Sequence, residues 1–210
     1  MSTTVFEQFY RSSDPRPWDL DGPTPFVVTL EQAGQFQGDV LDAGCGTGEN
    51  ALYLATRGHR VVGIDAAPTA IERAHAKAQH RGLDVTFVHG DACELAGYQD
   101  RFSTVLDSGL FHVLAPNEQA RYVAALYRAT RPSAMLHLLC FSDRDPPQSG
   151  KLPAGCFTHG VRKEELRQAF ARGWSIESLT TSSGTLSAPG QAEHRVHFWL
   201  ARIHRAAAAS

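Results

Sequence analysis

Val40-Leu41-Asp42-Ala43-Gly44-Cys45-Gly46-Thr47-Gly48-Glu49 is an apolar strand that runs straight into a glycine turn and then into a helix-forming stretch. A turn of this kind at the carboxyl end of a first strand is where open α/β sheets bind nucleotides. Glycine lets the backbone turn tightly and approach a ligand with no Cβ in between. Spacing narrows the ligand. Dinucleotide binders use G-x-G-x-x-G and seat a pyrophosphate on the helix N-terminus. Here the glycines fall at 44, 46 and 48, and position 49 is Glu49, whose carboxylate opposes a pyrophosphate.

Outward from this turn, from Asp39 to Arg131, short β-rich runs alternate with helical ones. Arg60–Asp65 reads as a second strand. A helix is predicted from Pro68, placed at its first turn, to Arg81, with Gly82 as its stop. Val85–His89 and Thr104–Asp107 are a third and fourth strand, and 117–130 a helix ended by Pro132. Met135–Phe141 is a fifth strand, apolar almost throughout as the middle of a sheet requires. After a helix at 163–171, the stretches 174–180 and 195–203 alternate apolar with polar residues and have no helix between them. Two such strands pair antiparallel. The fold expected is α/β: a Rossmann-like, seven-stranded, mostly parallel sheet with helices on both faces and a C-terminal antiparallel hairpin. One domain is expected over 1–205, with 1–37 an N-terminal cap segment, 38–205 the core, and 206–210 a disordered tail. Residues 142–160 carry Pro146, Pro147, Gly150, Pro153 and Gly155, a long loop suited to a lid.

The 210 residues are 42% hydrophobic with a formal net charge of −2, which gives no electrostatic reason to expect nucleic acid or an anionic membrane as partner. No apolar run approaches the roughly 20 residues of a membrane span, and no signal peptide precedes Glu7. The cysteines at 45, 93, 140 and 156 are scattered, which suits reduced thiols in a cytoplasmic protein. A monomer or a homodimer fits equally well.

The ends of successive strands carry the remaining candidates. Asp65 closes the second strand, where an acidic side chain accepts hydrogen bonds from ribose hydroxyls. Asp91, in Gly90-Asp91-Ala92, can accept from an adenine amino group while Ala92 offers its N–H. Asp107-Ser108-Gly109-Leu110-Phe111-His112 closes the fourth strand and faces the reactive end of the ligand.

Asp42–Gly48, Gly63–Asp65 and Gly90–Ala92 together resemble the first three motifs of the class I S-adenosylmethionine-dependent methyltransferases, over about residues 38–203. The resemblance implies S-adenosylmethionine as cofactor, a donor that has no phosphate. It places Asp65 on the ribose, Asp91 on the adenine, and Gly44 with the fourth-strand turn near the methionine moiety. Asp42, Gly46, Gly48, Ala66, Ala92 and Asp107 complete that cofactor set. Pro17–Pro23 and Asp107–His112 resemble, more narrowly, the thiopurine methyltransferase-like group and its bacterial branch acting on small heterocycles; Asp21 departs from some relatives. In that group the N-terminal aromatic segment closes over the cofactor, which implies Trp18, with Tyr10 as a second candidate, against the methionine arm.

Methyl transfer to O, N or S of a small acceptor needs alignment and exclusion of water more than covalent chemistry. His112 is the first candidate for a base, or else it caps its turn. Tyr10, Phe111, His112 and His159 are candidate acceptor contacts, with Glu193 and His159 flanking the mouth or simply solvated. Phe6 and Phe9 pack an N-terminal helix or touch ligand. Trp174, Phe198 and Trp199 are assigned to the core, and Cys45 to packing. His194 and His197 are three apart in a strand and point to opposite faces, so no metal site is expected. Asp145-Pro146-Pro147-Gln148 superficially matches the motif of nucleic-acid amine methyltransferases, but it follows the fifth strand and lacks the closing aromatic residue. Two alternatives stay open: an NAD(P)-dependent oxidoreductase, and a non-catalytic S-adenosylmethionine-binding protein.

Overall fold

The computed structural model of the protein describes residues 3–12, 18–144, 160–186 and 194–206. Two helices, α1 (Thr3–Arg11) and α2 (Pro25–Gln32), precede the sheet. The chain then runs β1 (Asp39–Ala43), α3 (Glu49–Thr56), β2 (Arg60–Asp65), α4 (Pro68–Arg81), β3 (Thr86–His89) and β4 (Phe102–Ser108). A 3₁₀ turn at Phe111–Val113 leads to α5 (Pro116–Ala129), β5 (Thr130–Phe141), α6 (Lys163–Ala169), β6 (Trp174–Leu186) and β7 (His194–Arg205). Strand order is β3-β2-β1-β4-β5-β7-β6. The first five strands pair in parallel, and β7 inserts antiparallel between β5 and β6. The expected seven strands and closing hairpin are therefore present.

Alternation along the strands builds the two faces. In β1, Val40 joins one core cluster with Val27, Leu52, Ile71 and Phe87. Leu41 and Ala43 join the other, with Tyr122, Leu126, Leu136 and Phe170. Val105 and Leu106 of β4 divide in the same way. The helix α4 starts with Pro68 and ends on Gly82 at φ 63, as expected from those two residues. By contrast β5 begins at Thr130, five residues before Met135. Thr130 pairs with Phe102 across a register shift, so Pro132 lies inside the strand's first residues and does not follow a loop.

The two N-terminal helices are tied down by polar contacts. Thr69, in the first turn of α4, donates its N–H and its hydroxyl to Glu7 of α1 (3.1 and 2.7 Å), satisfying a helix N-terminus that has no side-chain cap of its own. The amide of Thr24 donates to the Asn50 side chain at the start of α3 (2.9 Å). At the far end of β5, Ser142 bridges to Val161, and the Trp199 indole donates to the Val161 carbonyl at 2.7 Å. The long segment after β5 thus leaves and rejoins the sheet at one point. Its residues 145–159, with the suggested lid, Cys156 and His159, lie outside the described residues, as do Glu193 and 207–210.

Candidate active site

The glycine turn between β1 and α3 is held from β2. The amides of Gly44 and Cys45 both donate to the Ile64 carbonyl (2.8 and 3.0 Å), and Gly46 N–H donates to Asp65 Oδ2 at 2.8 Å. Gly44, Gly46 and Gly48 sit at φ +70, +54 and +85, the left-handed region that side chains resist. Space is equally restrictive. A Cβ at Gly44 would stand 2.9 Å from the Leu110 side chain, and one at Gly46 would stand 2.8 Å from the Tyr10 hydroxyl.

Next to this turn opens a cavity of about 750 Å³. It brings together Trp18, Gly44, Gly46, Gly48, Asp65 and Ala66, followed by Asp91, Ala92 and the Ser108–Leu110 turn. Asp65 also receives the Ala67 N–H at 2.8 Å on Oδ1. Burial raises its carboxyl from the usual range, opposed by those two amides. Asp91 accepts the Cys93 N–H (2.8 Å) and faces Arg121 at 3.5 Å. Tyr10 lines the cavity beside the glycine turn, 4% exposed, with its hydroxyl over Gly46. Its hydroxyl thus stands at the glycine turn, the place the methionine-arm expectation gave it.

Three expected site residues do not reach the cavity. Asp107 is fully buried; its Oδ1 accepts the amides of Gly109, Leu110 and Phe111, and its Oδ2 accepts the Tyr122 hydroxyl (3.0 Å). It shapes the turn and does not face ligand. Phe111 is wholly enclosed in the core against Phe170, because the 3₁₀ turn sends its ring under the sheet while His112 goes to the cavity. Asp42 is also buried, with one oxygen unpartnered. Burial, then the charges of Asp65 and Asp107, raise its carboxyl to about 7.

The other end of the cavity is made by residues that sequence reasoning placed in the core or passed over. Leu139 and Phe141 of β5, Phe198 and Leu200 of β7, and Ser182–Thr185 of β6 line it. Phe198, assigned to the core, is corrected here to a wall residue, whereas Trp174 and Trp199 are core. The one available signal was the period of two: Leu139 and Phe141 share a face of β5 and pair with Leu200 and Phe198. His112 stands edge-on to Phe141 (4.6 Å, 81°), which leans on Phe198 (4.9 Å, 34°). Burial pushes the His112 imidazole down to about 3, and its Nδ1 receives the Phe141 N–H at a long 3.5 Å. A ring kept neutral across physiological pH is a weak base; it offers a flat polar edge.

Glu49 also differs from its expected state. Arg81 grips its carboxylate with two bonds of 2.9 Å, and Lys77 approaches at 2.8 Å. Burial would raise its carboxyl, but these cations leave it lowered. Its charge is thus balanced on the spot, and it opposes a pyrophosphate less than a bare carboxylate would.

Comparison with known proteins resolves the cofactor. The family model of a methyltransferase domain matches residues 40–133. The 2-heptyl-1-hydroxyquinolin-4(1H)-one methyltransferase of Mycobacteroides abscessus is 39% identical over 183 residues, 84% of this chain and 78% of that protein. A solved structure from work on the conversion of a disulfide bond into a thioacetal group during echinomycin biosynthesis superposes with a TM-score of 0.88. It is 41% identical, over 99% of this chain and 94% of the other. The Burkholderia thailandensis 1,6-didemethyltoxoflavin-N1-methyltransferase, solved with 1,6-didemethyltoxoflavin and S-adenosylhomocysteine, shares the fold at a TM-score of 0.69. Its identity is 22%, over 98% and 87% of the two chains. Neither the oxidoreductase nor the non-catalytic alternative finds support in these likenesses. Among the described residues no helix is long and apolar enough to cross a membrane.

Proposed function

Because this chain belongs to the class I S-adenosylmethionine-dependent methyltransferases, we propose that it methylates O, N or S of a small, flat, largely apolar heterocyclic or aromatic acceptor. The observation that carries this is one continuous cavity with two unlike ends. Backbone and carboxylates line one end; Leu139, Phe141, Phe198 and Leu200 line the other. One relative acts, by name, on a hydroxyquinolone, which supports a heterocycle.

The residues present fit the cofactor. Gly44 and Gly46 form a cradle that a Cβ would fill, with Asp65 to meet the ribose and Asp91 and Ala92 to meet the adenine. Trp18, Tyr10 and Gly48 complete that end. When bound, S-adenosylmethionine supplies an electrophilic methyl group on a sulfonium. The Ser108–Leu110 turn and His112 stand between the two ends and align the acceptor's nucleophilic atom, while the aromatic wall keeps water out, so that positioning supplies much of the rate. A neutral His112 orients a polar atom of the acceptor by hydrogen bonding, and the acceptor gives up its proton to bulk solvent before it is enclosed or as the methylated product leaves. Cys45, Cys93 and Cys140 are free thiols, which supports a cytoplasmic setting.

Incubating the protein with S-adenosylmethionine and a panel of phenols, thiols and N-heterocycles, with mass-spectrometric detection of a CH2 gain, tests the reading. Methylated product from flat bicyclic acceptors is expected, together with calorimetric binding of S-adenosylhomocysteine that Asp65→Ala abolishes. Cofactor binding with no product from any acceptor would sink the proposed substrate class.

A further inference from the structure

Lys77 lies on α4, outside the cavity, yet it is joined to both sides of it. Its ammonium donates to the Thr47 hydroxyl at 2.7 Å, and Thr47 donates in turn to Asp19 Oδ1 at 2.6 Å. An ammonium has only donors to give, so the hydroxyl proton is directed at Asp19. The same ammonium is anchored on Glu49, whose carboxylate Arg81 also holds. A chain of charge-assisted hydrogen bonds therefore runs from α3 and α4, through the glycine turn, to the cap.

Its place in the turn gives this chain a purpose. Thr47 is 4% exposed and sits between Gly46 and Gly48, both in the left-handed region and both free of side-chain restraint. On the cap, Asp19 is flanked by Trp18 and Leu20, and both neighbours line the cavity. We infer that Lys77 is a positioning residue for cofactor binding: it orients the Thr47 hydroxyl, which captures Asp19, and so fixes the glycine turn and sets Trp18 and Leu20 over it in one step. This rests on the cavity being the S-adenosylmethionine site.

Calorimetry with S-adenosylhomocysteine on the full chain tests it. Lys77→Met and Thr47→Val are each expected to weaken binding about tenfold, the worth of one charge-assisted hydrogen bond. The double variant should be no weaker than the worse single, since both break one chain of bonds. Arg81→Met, which removes the other cation on Glu49 without touching Thr47, should stay within about twofold of wild type. Turnover should show KM for S-adenosylmethionine rising with kcat nearly unchanged, and Thr47→Ser should restore binding. If Lys77→Met fails to fold, the Thr47→Val and Thr47→Ser pair carries the same test. Lys77→Met binding like wild type, additive losses of about a hundredfold in the double, or an Arg81→Met loss equal to that of Lys77→Met would overturn the inference. Failure of the wild type to bind would instead count against the site itself.

Discussion

Replacing Asp107 separates a carboxylate that builds a turn from one that binds ligand. Its Oδ1 takes the Leu110 amide at 2.8 Å and those of Gly109 and Phe111 at 3.2 and 3.3 Å, and its Oδ2 takes the Tyr122 hydroxyl at 3.0 Å. Two of these four bonds have good lengths and two are long. Asp107→Ala leaves all four donors in the interior. At about 1–3 kcal/mol for each well-made bond and less for the long ones, the loss comes to about 4 kcal/mol, a large part of a domain's stability. Asp107→Asn is the informative partner. The amide oxygen keeps the three N–H bonds, Tyr122 can reverse its hydroxyl to accept, and a buried charge with a carboxyl raised by burial to about 6 is removed. Its cost should stay within about 1 kcal/mol. Urea unfolding at pH 8, compared at matched m-values, measures both, and cofactor binding should follow stability because Ser108–Leu110 lines the cavity. If Asp107→Asn retained full stability but lost cofactor binding, the negative charge would be acting on the ligand and the turn-building role would be refuted.

Gly184 faces Phe198, with a Cβ there 3.2 Å from the ring; Gly184→Val should cut kcat/KM for a bicyclic acceptor about tenfold more than for a monocyclic one, a ratio read by paired kinetics. Gly46→Ala sets a Cβ 2.8 Å from the Tyr10 hydroxyl at φ +54; it should weaken cofactor binding about tenfold, and Tyr10→Phe in the same chain should recover part, as followed by calorimetry. His112, depressed by burial, contributes stability above its ordinary value of 6.5 that is lost as pH falls toward 3. Asp42, raised by burial, contributes stability at low pH that is lost as pH rises through about 7. The two slopes oppose each other, so His112→Gln should remove about 2 kcal/mol of acid-side loss between pH 6.5 and 5 and leave a steeper decline toward pH 8 in urea midpoints. An unchanged slope would place the imidazole in water.

Features written in consecutive residues were legible, and those made by distant pairing were not. Pro68 and Gly82 bracket α4 because a fixed φ and a left-handed stop act locally. The start of β5 at Thr130 depends on pairing with Phe102, nearly thirty residues away, and nothing local announces it. At the site the division is the same. Gly44, Asp65 and Asp91 terminate successive parallel strands, so topology alone brings them to one edge. Phe111 and His112 are neighbours in the chain, and only the 3₁₀ turn decides that one ring enters the core and the other the cavity. Phe198 and Trp199 present the same ambiguity on β7, and which of them lines the cavity follows from their pairing with Phe141 and Cys140 of β5.

Glu49 shows how far a single residue's charge can mislead when its partners are unknown. Read from the turn alone, it excludes a pyrophosphate. In the folded chain Lys77 and Arg81 arrive from α4 and neutralise it, so its repulsion is spent on building the contact between α3 and α4. What excludes a dinucleotide then has to be the rest of the turn. Thr47 stands where a bare backbone would have to approach a phosphate, and its hydroxyl is committed on both sides to Lys77 and Asp19. The Gly46 amide is likewise committed to Asp65, so it is not offered outward as a phosphate-binding N–H would be. The amides of Gly44, Cys45, Gly46 and Gly48 are all spent on the turn's own geometry, so the proposed cofactor would be recognised there by shape and by the carboxylates of Asp65 and Asp91. That requirement suits a cationic, phosphate-free cofactor and leaves a dinucleotide without its usual partners.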